Sequence, residues 1–132
     1  MKHLLFVCIE NSNRSQMAEA IARIHAGDGI EIHSAGSHPS GTVNPKAVEA
    51  MRQIDYDLSS HTSKSLNEIP DVEYDAVITM GCADKCPYVR AKFREEWDIP
   101  DPQGLPQSEF NKVRSLISEK VNDLLTRLWN LI

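Results

Sequence analysis

The first fifteen residues restrict the fold more than any other part of the chain. Leu4-Leu5-Phe6-Val7 is a continuous apolar run. A run without polar alternation is what a strand buried on both faces shows, and such strands belong to parallel sheets. The run ends on Cys8. Five residues later come Arg14 and Ser15, and from Ser15 to about His25 the residues Met17, Ala20, Ile21 and Ile24 recur on one helical face. The unit is therefore buried strand, short polar loop, helix.

The rest of the chain repeats that alternation. Gly27-Asp28-Gly29 closes the helix, and Ile30 to Ala35 reads as a second strand. Asn44-Pro45 pairs an N-cap with a proline at the first helical position, ahead of an Ala47, Val48, Met51, Ile54 stripe. Tyr74 to Met80 reads as a third buried strand and Phe93 to Trp97 as a short fourth. Ile99-Pro100-Asp101-Pro102 cannot be helical. A last helix is predicted from Ser108 to Leu128, with Phe110, Val113, Leu116, Ile117, Val121, Leu124 and Leu128 at helical spacing. Strands separated by helices imply an α/β fold, a doubly wound four-stranded parallel sheet with helices on both faces. Its ligand would sit outside the carboxyl ends of the strands.

Composition narrows the function. A chain of 132 residues fits one domain, spanning 1–132, able to hold a core without disulfide staples. Its net charge of −5 and 6% aromatic content argue against nucleic acid or an anionic membrane as partner. No apolar stretch approaches membrane-spanning length, and the amino-terminal apolar run stops at Glu10 without a cleavage site, so it reads as a strand rather than a signal peptide. The three cysteines, Cys8, Cys82 and Cys86, are an odd set, which favours a reducing cytoplasm over a secreted disulfide scaffold. A monomer is expected.

The loop Ile9-Glu10-Asn11-Ser12-Asn13-Arg14 can aim several backbone N–H groups at one point, and the following helix N-terminus adds positive potential. Arg14 can grip a tetrahedral oxyanion through two parallel hydrogen bonds. The same field favours the thiolate of Cys8. Ser15 can donate its hydroxyl to that thiolate or relay a proton, and Asn11 tolerates the left-handed backbone such a loop needs. An inert buried Cys8 beside a solvated Arg14 is the bland reading of the same residues. The whole arrangement favours nucleophilic attack on a phosphate-like anion.

Downstream, Cys82-Ala83-Asp84-Lys85-Cys86-Pro87 follows the third strand. Two cysteines supply only half a tetrahedral zinc site, and no second Cys/His pair follows at metal spacing. An incidental thiol pair and a pair for thiol–disulfide exchange both remain open on the residues alone. Asp101-Pro102, taken alone, is a common turn.

The string from Val7 to Ala20, with "NSNRSQMAE" inside it, resembles the active-site loop of the low-molecular-weight protein tyrosine phosphatase superfamily, in its arsenate reductase branch. The likeness continues through Ser34-Ala35-Gly36, His61-Thr62-Ser63, Thr79-Met80-Gly81-Cys82 and Trp97 to Asp101-Pro102. The resemblance implies Cys8 as nucleophile and Asp101 as general acid. It also implies a relay through Cys82 and Cys86, regenerated by an external thiol reductant, with thioredoxin leading and glutaredoxin or a small thiol as alternatives. No tightly bound cofactor is implied. The chain departs from the family pattern in having only three residues between Cys82 and Cys86, and in carrying Asn13 where relatives often have a further cysteine. Some members bind potassium near the positions of Asn11, Glu19 and Ser34. An acidic residue assists there, and Lys64 stands at its place, so no metal is expected.

Three functions follow. Arsenate reduction uses all three cysteines, with phosphate or sulfate as competing anions. A tyrosine phosphatase would need only Cys8, Arg14 and Asp101, but Gln103-Gly104 follow Asp-Pro where that branch carries aromatic residues. An anion-binding module would bind without turnover.

Overall fold

The computed structural model describes residues 2–81 and 89–130. Four strands, β1 (Lys2–Cys8), β2 (Ile30–Gly36), β3 (Ala76–Met80) and β4 (Arg94–Trp97), form one parallel sheet in the order β2-β1-β3-β4. Three α-helices accompany them: α1 (Arg14–His25), α2 (Pro45–Arg52) and α3 (Gln107–Asn130). Short 3-10 turns occupy Leu58–Ser60 and Leu66–Glu68.

The side-chain alternation of β1 divides the core. Leu4, Phe6 and Cys8 point to one face, where α1, α2 and α3 pack together through Met17, Ile21, Ala47, Met51, Phe110, Ile117 and Leu124. Leu5 and Val7 point to the other, and meet Ala35, Tyr74 and Val77. That second face is covered by the 3-10 turn at Leu66 and the chain around Ile69, Val72 and Ala91. Among the described residues the α-helices thus gather on one face of the sheet, and the other face, where helices were also expected, carries the 3-10 turn Leu66–Glu68. Both faces of β1 are dry, which is why its sequence shows no alternation.

The predicted elements are present with shifted ends. Helix α2 stops at Arg52, and Asp55 adopts φ 64°, so Ile54 falls outside the stripe assigned to it and is 40% exposed. Ile24 was expected on the buried face of α1 and is 44% exposed, because the last turn, from Arg23 to His25, runs past the packed core. No helix among the described residues is long and apolar enough to cross a membrane.

Strand β1 is central, with β2 on one side and β3 on the other. The chain leaves its carboxyl end for β2 and later returns to β3, so a crevice opens at this switch point. The Cys8–Arg14 loop lies there.

Candidate active site

Asn11, Ser12, Asn13, Arg14 and Ser15 are all buried, although every one is polar. Their backbone explains how. The carbonyls of Cys8, Ile9, Glu10 and Ser12 accept hydrogen bonds from the N–H groups of Ser37, His38, Ser40 and Asn44 at 2.8–3.3 Å. Each planar peptide unit carries its N–H opposite its C=O. Tying four carbonyls outward therefore turns the N–H groups of Ile9, Glu10, Asn11 and Asn13 to the inner side. Asn11 N–H shows that direction: it donates to Cys8 Sγ at 3.3 Å. Asn11 makes the turn with φ 51°, the left-handed conformation expected of it. Asn13 caps α1, its side chain accepting from Arg14 N–H, so the positive end of the helix faces the same centre.

Gly36 allows the loop to lie against β2. A Cβ there would stand 2.5 Å from Ile9 O and 2.9 Å from Asn11 N. Gly81 does the same for the arginine. At φ +77°, its added Cβ would fall 2.3 Å from Arg14 Nη1.

The hydrogen bonds around Cys8 can be followed from donors that have no choice. Lys64 backbone N–H donates to Asn11 Oδ1 at 2.8 Å, which orients the Asn11 amide. Asn11 Nδ2 then donates to Ser15 Oγ at 2.8 Å and to Ser34 Oγ at 3.0 Å. The Ser34 hydroxyl in turn donates to the Glu19 carboxylate at 2.5 Å. Ser15 Oγ accepts from Asn11 and lies 2.8 Å from Cys8 Sγ, where its hydroxyl can donate once the sulfur carries no proton. The Asn11 backbone N–H thus donates to the sulfur, and the Ser15 hydroxyl stands within hydrogen-bond reach of it.

A second layer holds Asn11. Gln16 Nε2 lies 2.8 Å from Asn11 Oδ1 and 2.9 Å from Thr62 O, while Gln16 Oε1 lies 3.0 Å from His61 Nδ1. Tyr56 OH stands 2.6 Å from His61 Nε2. Burial, the largest influence, pushes the His61 pKa down despite the nearby Glu19 carboxylate. The imidazole is then neutral, with Nδ1–H donating to Gln16 and Nε2 accepting from Tyr56. Burial would raise the Glu19 pKa, but the Ser34 hydrogen bond, the Lys64 ammonium, His61 in its protonated form and the Arg23 hydrogen bond together hold it below its ordinary value. Lys64 Nζ lies 3.7 Å from Glu19 Oε1, placing an ammonium beside the Asn11–Ser34–Glu19 cluster.

Arg14 reaches across to the segment after β4. Its Nη1 donates to Ile99 O at 3.1 Å, and Nη2 lies 3.7 Å from Asp101 Oδ2. Arg14 Nε is buried and has no hydrogen-bond partner among the described residues. A buried guanidinium N–H without an acceptor, beside four inward N–H groups, points to an anionic ligand. Asp101 is half-exposed at the rim, where Oδ1 accepts from Asn13 Nδ2 at 3.3 Å and from Gln103 N–H at 3.1 Å. The fold thus brings Cys8, Ser15, Arg14 and Asp101 together. Cys82 and Cys86 lie outside the described residues.

Several contributors lie in the strings that carry the family resemblance, but the sequence assigns them no role. Gly36, Gly81, Gln16 and His61 act through contacts 25 to 67 residues away in the chain. The His61 side chain is only 8% exposed, so it belongs to the buried layer behind the loop.

The comparisons agree with this geometry. Residues 3–130 match the family model described as low molecular weight phosphotyrosine protein phosphatase. The chain belongs to that family. Arsenate reductase 2 of Staphylococcus saprophyticus is 40% identical over 124 residues, covering 91% of this chain and 93% of the relative. A solved arsenate reductase in its oxidized state superposes with TM-score 0.87 at 34% identity, covering 97% of this chain and 99% of that one. Another, in a phosphate-binding state, gives 0.84 at 31% over the same shares.

Proposed function

We propose that this family member reduces arsenate to arsenite. The observation carrying the proposal is the inward ring of N–H groups around Cys8, completed by the unpartnered Nε of Arg14. Such a ring accepts a tetrahedral oxyanion. The 40% identical relative named as an arsenate reductase favours arsenate as the anion. Phosphate, of the same shape and charge, would compete; one solved relative is described in a phosphate-binding state.

In this reading the Cys8 thiolate attacks arsenic, and Asp101 protonates the oxygen that departs as water. Arg14 and the loop N–H groups hold the remaining oxygens. The Cys82 thiolate then attacks Cys8 Sγ. A Cys8–Cys82 disulfide forms, and the electron pair of the S–As bond stays on arsenic, which leaves as arsenite. Cys86 attacks Cys82 Sγ, returning Cys8 as thiolate and leaving Cys82–Cys86 for an external dithiol, with thioredoxin as the proposed reductant.

Reduced protein supplied with arsenate, thioredoxin, thioredoxin reductase and NADPH should form arsenite with matching NADPH oxidation. A glutaredoxin–glutathione arm should be slower. Cys86→Ser should complete about one turnover and trap Cys8–Cys82, visible in peptide mass spectra. No arsenite from any reductant would overturn the reduction, while full multiple turnover by Cys86→Ser would overturn the three-thiol relay. Cleavage of aryl phosphate without arsenite would establish the phosphatase reading, which the same Cys8, Arg14 and Asp101 geometry serves.

A further inference from the structure

At the opposite end of the sheet from Cys8, three side chains converge. His3 of β1 and Glu31 of β2 are paired in register, and His33 stands two residues further along β2, so all three project from one face. This is the face without the long helices. One donor atom from each, His3 Nδ1, a Glu31 carboxylate oxygen and His33 Nε2, lies within 4.8 Å of the others. Five residues of strand, about 17 Å, separate His3 from Cys8.

The geometry distinguishes this cluster from an ordinary ion pair. Glu31 Oε2 is 3.3 Å from His3 Nδ1, and Glu31 Oε1 is 3.1 Å from His33 Nε2. Both nitrogens are buried, yet neither has a directed hydrogen-bond partner among the described residues. The carboxylate is near each nitrogen but off its bonding axis. Ligands on one tetrahedral metal ion show that relation. With metal–N and metal–O distances of about 2.0–2.2 Å, neighbouring donors stand about 3.3 Å apart, and neither points at the other. Bringing the two nitrogens to that spacing needs a closure of about 1.5 Å at most. The Tyr74 ring stands edge-on to both imidazoles, with centroids at 6.2 and 6.3 Å and planes at 83° and 82°. That contact braces the two rings from the core side. Glu31 is 42% exposed, while the His3 and His33 side chains are 24% and 17% exposed, so an ion has a way in past the carboxylate.

We propose that His3, Glu31 and His33 form a binding site for a borderline divalent cation of the Zn²⁺ class. Two imidazoles and one carboxylate are the donor set such ions take, and water completes the coordination. The site ties edge strand β2 to central strand β1. It makes no contact with the oxyanion loop, and it stands or falls independently of the arsenate reading.

The test uses the full chain with its thiols carboxamidomethylated, so that cysteines cannot bind the ion. Zn²⁺ titrated calorimetrically should bind at one equivalent. Glu31→Gln and His33→Gln should each weaken binding at least tenfold while keeping the parent far-UV circular dichroism. In the unsubstituted protein, ¹⁵N imidazole spectra should show Zn²⁺ perturbing His3 and His33 and leaving His25, His38 and His61 unmoved. Absence of saturable binding below millimolar Zn²⁺ would overturn the proposal. So would equal affinity in either variant, or perturbation confined to other histidines. The imidazole spectra decide the question even if a variant fails to fold.

Discussion

Arg14 shows how far one side chain depends on what its neighbours lack. It is buried because Gly81 has no Cβ, and its two outer nitrogens are committed to Ile99 and Asp101. Replacing Gly81 with alanine would place a carbon against the guanidinium and force a residue at φ +77° into the left-handed region. Arg14 Nε, the nitrogen left without a partner, would then be displaced from its place beside the loop. Gly81→Ala should weaken phosphate binding at least tenfold, as read by calorimetry, with the fold retained. Parent affinity in that variant would show that Arg14 does not need its observed position. Ser15 illustrates the same dependence for hydrogen bonding. Its oxygen takes a hydrogen bond from the Asn11 amide beside Cys8, and Asn11 is oriented by a backbone N–H fifty-three residues away.

At the scale of elements, the loop between β1 and α1 has little regular structure of its own and borrows its shape from the chain after β2. Four carbonyls are held by N–H groups of residues 37 to 44, and Gly36 permits the approach. A methyl at Gly36 would collide with backbone, which cannot swing aside as a side chain can. Gly36→Ala should cost about 1–3 kcal/mol in urea unfolding. Phosphate protection of Cys8 against alkylation should be lost with it. If protection survives, the loop holds its form without β2. The boundaries of α1 and α2 follow local chemistry more closely. Asn13 and Asn44 cap them, and Pro45 opens α2 where a missing N–H costs nothing.

For the molecule as a whole, the buried polar cluster behind the loop links stability to pH. His61 has its pKa depressed below the ordinary 6.5, first by burial. It therefore contributes stability above that value, which is lost as pH falls through the folded value. Glu19 is held below its ordinary 4.5, so its contribution is lost at lower pH again. Both changes destabilise on acidification. Thermal unfolding between pH 7 and 3 should show the midpoint falling in two stages. His61→Gln should shrink the upper stage, without abolishing it, since burial also depresses His33. Glu19→Gln should shrink the lower one without abolishing it, since Asp75 and Glu95 are also held below their ordinary values. An unchanged profile in both variants would mean that the cluster carries no proton linkage.

Local pattern was enough for the strands, the helices and the identity of the anion loop. A doubly dry strand must be continuously apolar, a helix must repeat its buried face, and a cysteine, five residues, arginine and serine between them leave few alternatives. The misplacements of Ile24 and Ile54 mark the reach of that reasoning. Periodicity says which face is apolar, but only packing says where the core ends. Tertiary structure alone decided the rest: which way the loop carbonyls turn, which polar groups stand at Cys8, and which glycines give Arg14 and Ile9 room. It also decided that His3, Glu31 and His33 share a face, since strand register brings residues 28 positions apart side by side. Each of these depends on contacts between residues far apart in the chain, and sequence spacing carries no record of such distances.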